Sequence, residues 1–317
     1  MPLHLIVFAG FYAAGRHAVR YADTLAGVVR GRLVLLHVER TSFLEPPGLA
    51  PAHYYHPAAH VRQADTASAL HQLAQGLHVH PLVELAADLL PAGLRDLASR
   101  YAPALFVLGP PAPDSVGAAA LVTACVGLLE AGNHPLLVVP ATAPADQSPR
   151  RFLIAADGEA FTLAATAAPW RQLLTSLAAH IVVAHVSDGE QDDASCGAAL
   201  RTVQASGLLD GLHNPELRGY DHPDLAEGLL AAVADTQADM VLVLARPRSF
   251  LGELFHRSVT ARLLERCPVP VLVLPVLAEV TTDALPSPLA ATVARWSKDL
   301  LAGLAPASRS HPYMPKN

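Results

Sequence analysis

Leu5-Ile-Val-Phe-Ala-Gly10 and its echo Leu153-Ile-Ala-Ala-Asp-Gly158 decide the fold of this chain. Each is a short apolar run closed by small residues, too short for a helix and rich enough in branched side chains for a buried strand. The runs that follow, Gly31–Val38 and Ala179–Val186, echo each other in the same way. So do Ala102–Gly109 with Ala238–Ala245, and Pro135–Pro140 with Pro270–Pro275. The order is the same in both halves, so one unit is written twice. The early echoes are offset by 148 residues and the late ones by 135 or 136, which leaves about a dozen extra residues in the first half, placed in the Pro- and aromatic-rich stretch 40–57.

Helical patterns separate the strand-like runs. Ala18, Ala22, Leu25 and Val29 share one helical face, as do Leu70, Leu73, Ala74 and Leu77, then Leu90, Leu94 and Leu97, and a last helix is expected at about 116–131. His78–Ala86 reads as a third strand, with His78 and His80 on one face of an edge. In the second half Trp170, Leu173, Leu174 and Leu177 define the first helix, which Pro169 should kink or restart. Asp221 and Asp224 ahead of Leu225, Leu229, Ala232 and Val233 mark a capped helix start.

Alternation of this kind predicts an α/β protein of two tandem doubly wound five-stranded parallel sheets, order 3-2-1-4-5 and Rossmann-like, with a C-terminal helix. The domains are expected at 1–141 and 150–278, joined by an unpatterned connector at 142–149, and the extension 279–317 carries an amphipathic helix through Leu289, Val293, Trp296, Leu300 and Leu304. In each unit a ligand crevice should open at the carboxyl ends of strands one and four, where the strand order reverses.

Composition narrows the function. Of the 317 residues 52% are hydrophobic but only 5% aromatic, which suits small residues packed between helices and parallel strands. A net charge of −6 offers no basic face to a nucleic acid. The longest uncharged apolar run, Val116–Leu129, is shorter than the roughly 18–20 residues that cross a bilayer. The expected setting is cytoplasmic, with neither nucleic acid nor membrane as partner. Cys125, Cys196 and Cys267 are scattered without metal-ligand spacing.

Four stretches together carry a family resemblance: Leu153-Ile-Ala-Ala-Asp-Gly-Glu159, Ala238–Ala245, His256-Arg-Ser-Val-Thr-Ala-Arg262 and Cys267-Pro-Val-Pro-Val-Leu-Val-Leu274. The chain resembles a tandem universal stress protein, more clearly in its second half. In ATP-binding members the loop after strand four has Gly, two residues, Gly, nine residues, then Gly-Ser or Gly-Thr. Bare glycines let backbone amides close on phosphate oxygens at a helix N-terminus. In the first half the corresponding positions read Gly109, Ala112, Val122 and Thr123, and the strand-one Asp that contacts adenosine in such members is matched to Ala9. In the second half Asp157 and Ser258 match, while the glycine positions read Ala245, Arg248 and Arg257.

Arg246, Arg248, His256 and Arg257 permit two readings. In one, Arg248 or Arg257 turns inward, pairs with Asp157 and fills the old nucleotide crevice. In the other, the arginines form an altered anion or nucleotide site with Asp157 and Ser258, since guanidinium groups bind phosphate without a glycine nest. The resemblance therefore implies a non-enzymatic stress-response protein without a cofactor, the alternative being an ATP sensor or weak ATPase. It also implies self-association of the two domains within the chain through their last strands, with a homodimer or an unknown protein partner still open. No catalytic residue is assigned. His53, His56 and His60 have no carboxylate or thiolate nearby to complete a zinc site, and Pro57 interrupts their helical spacing, so no metal is expected. Ser195-Cys196 reads as a helix start rather than a nucleophile, and no Walker loop, nucleophile elbow or GxGxxG is present.

Overall fold

The computed structural model describes residues 2–9, 13–40, 68–88, 91–109, 134–163, 168–189, 193–246 and 259–278. The helices expected near 116–131 and 289–304, the loop 41–57 and the histidines at 53, 56 and 60 lie outside them. The strands are β1 (His4–Phe8), β2 (Arg32–Arg40), β3 (Leu82–Asp88), β4 (Ala104–Leu108), β5 (Leu136–Val138), β6 (Arg151–Ala155), β7 (Phe161–Leu163), β8 (His180–Ser187), β9 (Glu216–Asp221), β10 (Met240–Ala245) and β11 (Val271–Ala278). The helices are α1 (Ala13–Val29), α2 (Pro91–Arg100), α3 (Ala168–Ser176), α4 (Asp193–Ala205), α5 (Leu225–Thr236) and α6 (Val259–Arg266). Residues 68–75 are also helical.

One continuous sheet runs β3-β2-β1-β4-β5-β11-β10-β6-β8-β9. Within each half the strands of this ladder are parallel, and helices cross over between them, as α1 does between β1 and β2 and α6 between β10 and β11. The halves meet where β5 pairs antiparallel with β11, Leu136–Val138 against Val273–Val271. Two sheets expected from sequence are thus fused into one. Their parallel strands point in opposite directions, so the two carboxyl ends face opposite edges. Beyond Pro275, β11 pairs instead with the short antiparallel β7, an element the sequence pattern did not disclose.

Both faces are covered. Residues of α1, 68–75, α3 and α4 pack on one face, over Leu5, Val7, Phe152 and Ile154. Those of α2, α5 and α6 pack on the other, over Ile6, Phe106, Leu153 and Val241. Each apolar layer crosses the β5–β11 seam. The face expected for α1 is buried, with Ala18, Ala22, Leu25 and Val29 nearly inaccessible. Pro169 is the second residue of α3, where its missing N–H costs nothing, so it starts the helix rather than kinking it. The chain turns off alike just past α1 and α3, with Arg30 and Ala178 in the left-handed region at φ 52° and 48°.

Ladder pairing corrects the repeat alignment. Phe8 pairs with Leu36, and Ala155 with Ala184, so Phe8 corresponds to Ala155 rather than to Ala156. The offset for strand one is 147 residues, one fewer than the 148 read from the matching Leu-Ile pairs. A slip of one would turn every side chain of that strand to the other face, and Leu5 and Leu153 indeed lie in opposite apolar layers. Two further expectations change. His78 and His80 precede the third strand, which begins at Leu82. The backbone amides of His78 and Val79 both donate to the buried carboxylate of Asp23 on α1, at 2.9 Å each, and the His78 ring joins it at 2.8 Å. The connector is also tied down: Thr24 Oγ1 donates to the Ala145 carbonyl at 2.7 Å, Thr142 Oγ1 to that of Pro268 at 2.6 Å, and Ala143 is buried.

Candidate functional site

The crevice of the second half is built by adjacent strands β6 and β10 ending side by side. Ala156 extends the ladder by donating to Ala184, and the next residue, Asp157, leaves the sheet. Gly158 takes φ 84°, a conformation that favours glycine, and the Glu159 amide donates to Asp157 Oδ1 at 3.0 Å. The carboxylate is thereby held above the sheet end. On the neighbouring strand Arg246 follows Ala245 directly and meets it.

Arg246 is the buried partner of this pair: its side chain is 10% exposed, against 54% for Asp157. One terminal nitrogen donates to Asp157 Oδ2, and the other donates to Oδ1 at 3.1 Å and to the Glu159 carbonyl at 2.9 Å. The Glu159 carboxylate lies 3.4 Å from Nε. The fork of the guanidinium is thus engaged edge-on with a carboxylate, the geometry it would otherwise offer a phosphate. Sequence reasoning expected Arg248 or Arg257 in this role. Arg246 takes it because it is the first residue past the strand, within reach of Asp157 on the adjacent strand end.

A cavity of about 460 Å³ remains beside the pair. Its walls include Ala155, Ala184, Val186, Leu229 and Val243, and Leu225, 40% exposed, stands among them. Gly228 brings α5 close to β8, since a Cβ there would sit 2.5 Å from Val186 Cγ1. Asp224 caps α5, its carboxylate accepting from the Ala226 and Glu227 amides. Arg262 on α6 bonds to that same carboxylate and, at 2.9 Å, to Glu227, which also meets Arg266. The Arg262 guanidinium, with the helix amides, holds the Asp224 carboxyl below its usual range. This network fixes α6, whose Val259 and Thr260 line the cavity. Beneath the floor His185 is buried and donates from Nδ1 to the Ala156 carbonyl at 2.9 Å; His37 faces Ala9 in the same way at 3.4 Å.

The remaining sequence candidates distribute as follows. Arg248, Arg257, Ser258 and Thr123 lie outside the described residues. Gly109 is buried at the end of β4, where ladder pairing aligns it with Leu244 rather than with Ala245. The same pairing places Gly10, not Ala9, opposite Asp157 in the repeat; Ala9 corresponds to Ala156. The first half therefore has no carboxylate at that position. Ser195 and Cys196 lie in the first turn of α4. Among the described residues no group of three His, Cys, Asp or Glu side chains could hold a metal ion, and no helix is long and apolar enough to cross a membrane.

The universal stress protein family model matches residues 149–275, the part of the chain that holds this crevice. This half belongs to the universal stress protein family. A universal stress protein from Archaeoglobus fulgidus DSM 4304 has the same fold at a TM-score of 0.61 and 15% identity, covering 85% of this chain and 97% of its own. A functionally unknown protein from Pseudomonas aeruginosa PAO1 aligns at a TM-score of 0.48 and 17% identity, over 94% of this chain and 98% of that one. The cytoplasmic domain of a prokaryotic cation chloride cotransporter aligns at 0.47 and 10%, over 86% and 94%. No curated protein matches the sequence. In this universal stress protein domain Arg246 stands against Asp157, the acidic residue that follows the first strand of the half.

Proposed function

We propose that the chain is a non-enzymatic, cytoplasmic stress-response protein of the universal stress protein type, in which an internal ion pair replaces ATP. The observation that carries this reading is the two-pronged contact of Arg246 with Asp157. Asp157 is the carboxylate that the family resemblance assigns to adenosine, and here it is engaged by a buried guanidinium of the same chain. A triphosphate approaching that end would meet Asp157 and Glu159, two carboxylates against one guanidinium among the described residues. The two halves act as an internal pseudo-dimer, at 1–141 and 150–278, because pairing β5 with β11 buries two strand edges that would otherwise recruit another chain.

Thermal unfolding with and without ATP and Mg²⁺ tests the reading. A ligand at one hundred times its dissociation constant stabilises by about 2.7 kcal/mol, so a site for ATP would be plain, whereas this account expects no shift. A shift in the wild-type protein that Arg248→Ala and Arg257→Ala remove would establish the alternative, a nucleotide sensor or weak ATPase built on the arginines.

A further inference from the structure

A second cavity, of about 480 Å³, opens at the start of β10, the end of that strand away from Arg246. Tyr21 of α1 lines it, with Asp146 and Ser148 of the connector, Arg150 just beyond, and Asp239 and Val269 ahead of β10 and β11. Tyr21 is only 3% exposed, yet its hydroxyl makes no hydrogen bond with a described residue. Buried phenols ordinarily find a partner. The oxygen keeps accessible surface while the ring packs into the core, so the hydroxyl opens on the cavity. Burial first, and then the Asp239 carboxylate, raise its pKa, and it stays a neutral group that accepts as well as donates. Two carboxylates line the same space. Asp239 Oδ2 accepts from the Arg150 and Arg151 amides at 2.9 Å each, which fixes the side chain and leaves Oδ1 without a donor among the described residues. Asp146 likewise meets no donor among them. A primary ammonium, with three N–H groups and no lone pair, matches carboxylate and phenol oxygens alike. A divalent metal is a poorer match, since no group of three His, Cys, Asp or Glu side chains gathers among the described residues.

We infer that this cavity binds a small organic cation through a primary ammonium group, held by Asp239 and Asp146 and by the hydroxyl oxygen of Tyr21. Tyr21 belongs to the first half and Asp239 to the second, so the bound cation ties the two halves together beside their connector. The site stands apart from the Arg246–Asp157 pair, which lies past the other end of β10.

The test titrates the full chain with 1,4-diaminobutane by isothermal calorimetry, beside butane-1,4-diol and succinate as uncharged and anionic probes of similar length. Saturable binding of the diamine at one site per chain is expected, and of neither other probe. Asp239→Asn keeps an oxygen for the Arg150 and Arg151 amides and should weaken the diamine by at least about tenfold. Asp146→Asn, on the exposed connector, should do the same and serves if Asp239→Asn melts early by circular dichroism. Tyr21→Phe removes a hydroxyl that bonds nothing in the fold, so its melt should stay in place while affinity falls about fivefold. Absence of saturable binding, equal binding of the diol, preferential binding of succinate through Arg150, or a diamine affinity unchanged in Tyr21→Phe or in both asparagine variants would each overturn the proposal.

Discussion

Replacing Leu137 by alanine probes whether the two halves fold as one body. Leu137 is fully inaccessible on β5, paired with Leu272 of β11 on one side and with Val107 of β4 on the other, so its side chain lies at the seam. Leucine-to-alanine changes at enclosed sites cost roughly 2–5 kcal/mol, and a position held between two paired strands has little room to collapse, so about 3 kcal/mol is expected. For a body of this size that corresponds to roughly 5 °C in Tm. Trp170 on α3 is buried in the second half and gives a local probe once the other tryptophan is removed by Trp296→Phe. Because each apolar layer crosses the seam, Trp170 fluorescence and far-ultraviolet circular dichroism should shift together in Leu137→Ala. A Trp170 transition that stays in place while the dichroism splits into two steps would refute the continuity of the cores.

Two other perturbations have defined outcomes. Asp23→Ala leaves the part-buried amides of His78 and Val79 without their acceptor; the His78 ring is mostly in water and contributes little, so a loss of about 1–2 kcal/mol is expected in denaturant unfolding. His4 and His134 both have pKa values below 6.5, through burial first and then through Arg32 and Arg95 respectively. Because the folded state disfavours their charged forms, their stabilising effect is complete above 6.5 and is lost as pH falls through the lowered folded values. The melting temperature should therefore drop on acidification from neutrality, and His134→Phe should flatten that slope; an unchanged slope would remove His134 from the explanation.

The strands were legible because buried parallel strands are written as plain apolar runs, and Asp157 was legible because it ends one. What the sequence concealed is positional. In Leu5-Ile-Val and Leu153-Ile-Ala the letters match best one residue away from the structural register, since aliphatic residues lie on both faces of a doubly covered sheet and alternation cannot fix the phase. The partner of Asp157 was misassigned for a related reason: Arg246, Arg248 and Arg257 are chemically equivalent, and only the point at which β10 ends singles out Arg246. His78 and His80 looked like strand alternation, yet Asp23, a lone acid on an apolar helix, draws that backbone into a turn ahead of β3. In the second half Arg171 and Asp210 tie α3 to the segment before β9 with the charges exchanged, so residue identity could not reveal the shared role.

A double-mutant cycle on Arg246→Ala and Asp157→Ala tests the internal ion pair most directly. Arg246 is buried but Asp157 is more than half exposed, so solvent screening discounts the pair and a coupling of about 1–2 kcal/mol is predicted. Additive effects, within about 0.3 kcal/mol, would show that the two side chains do not hold each other and that the carboxylate is available to a ligand.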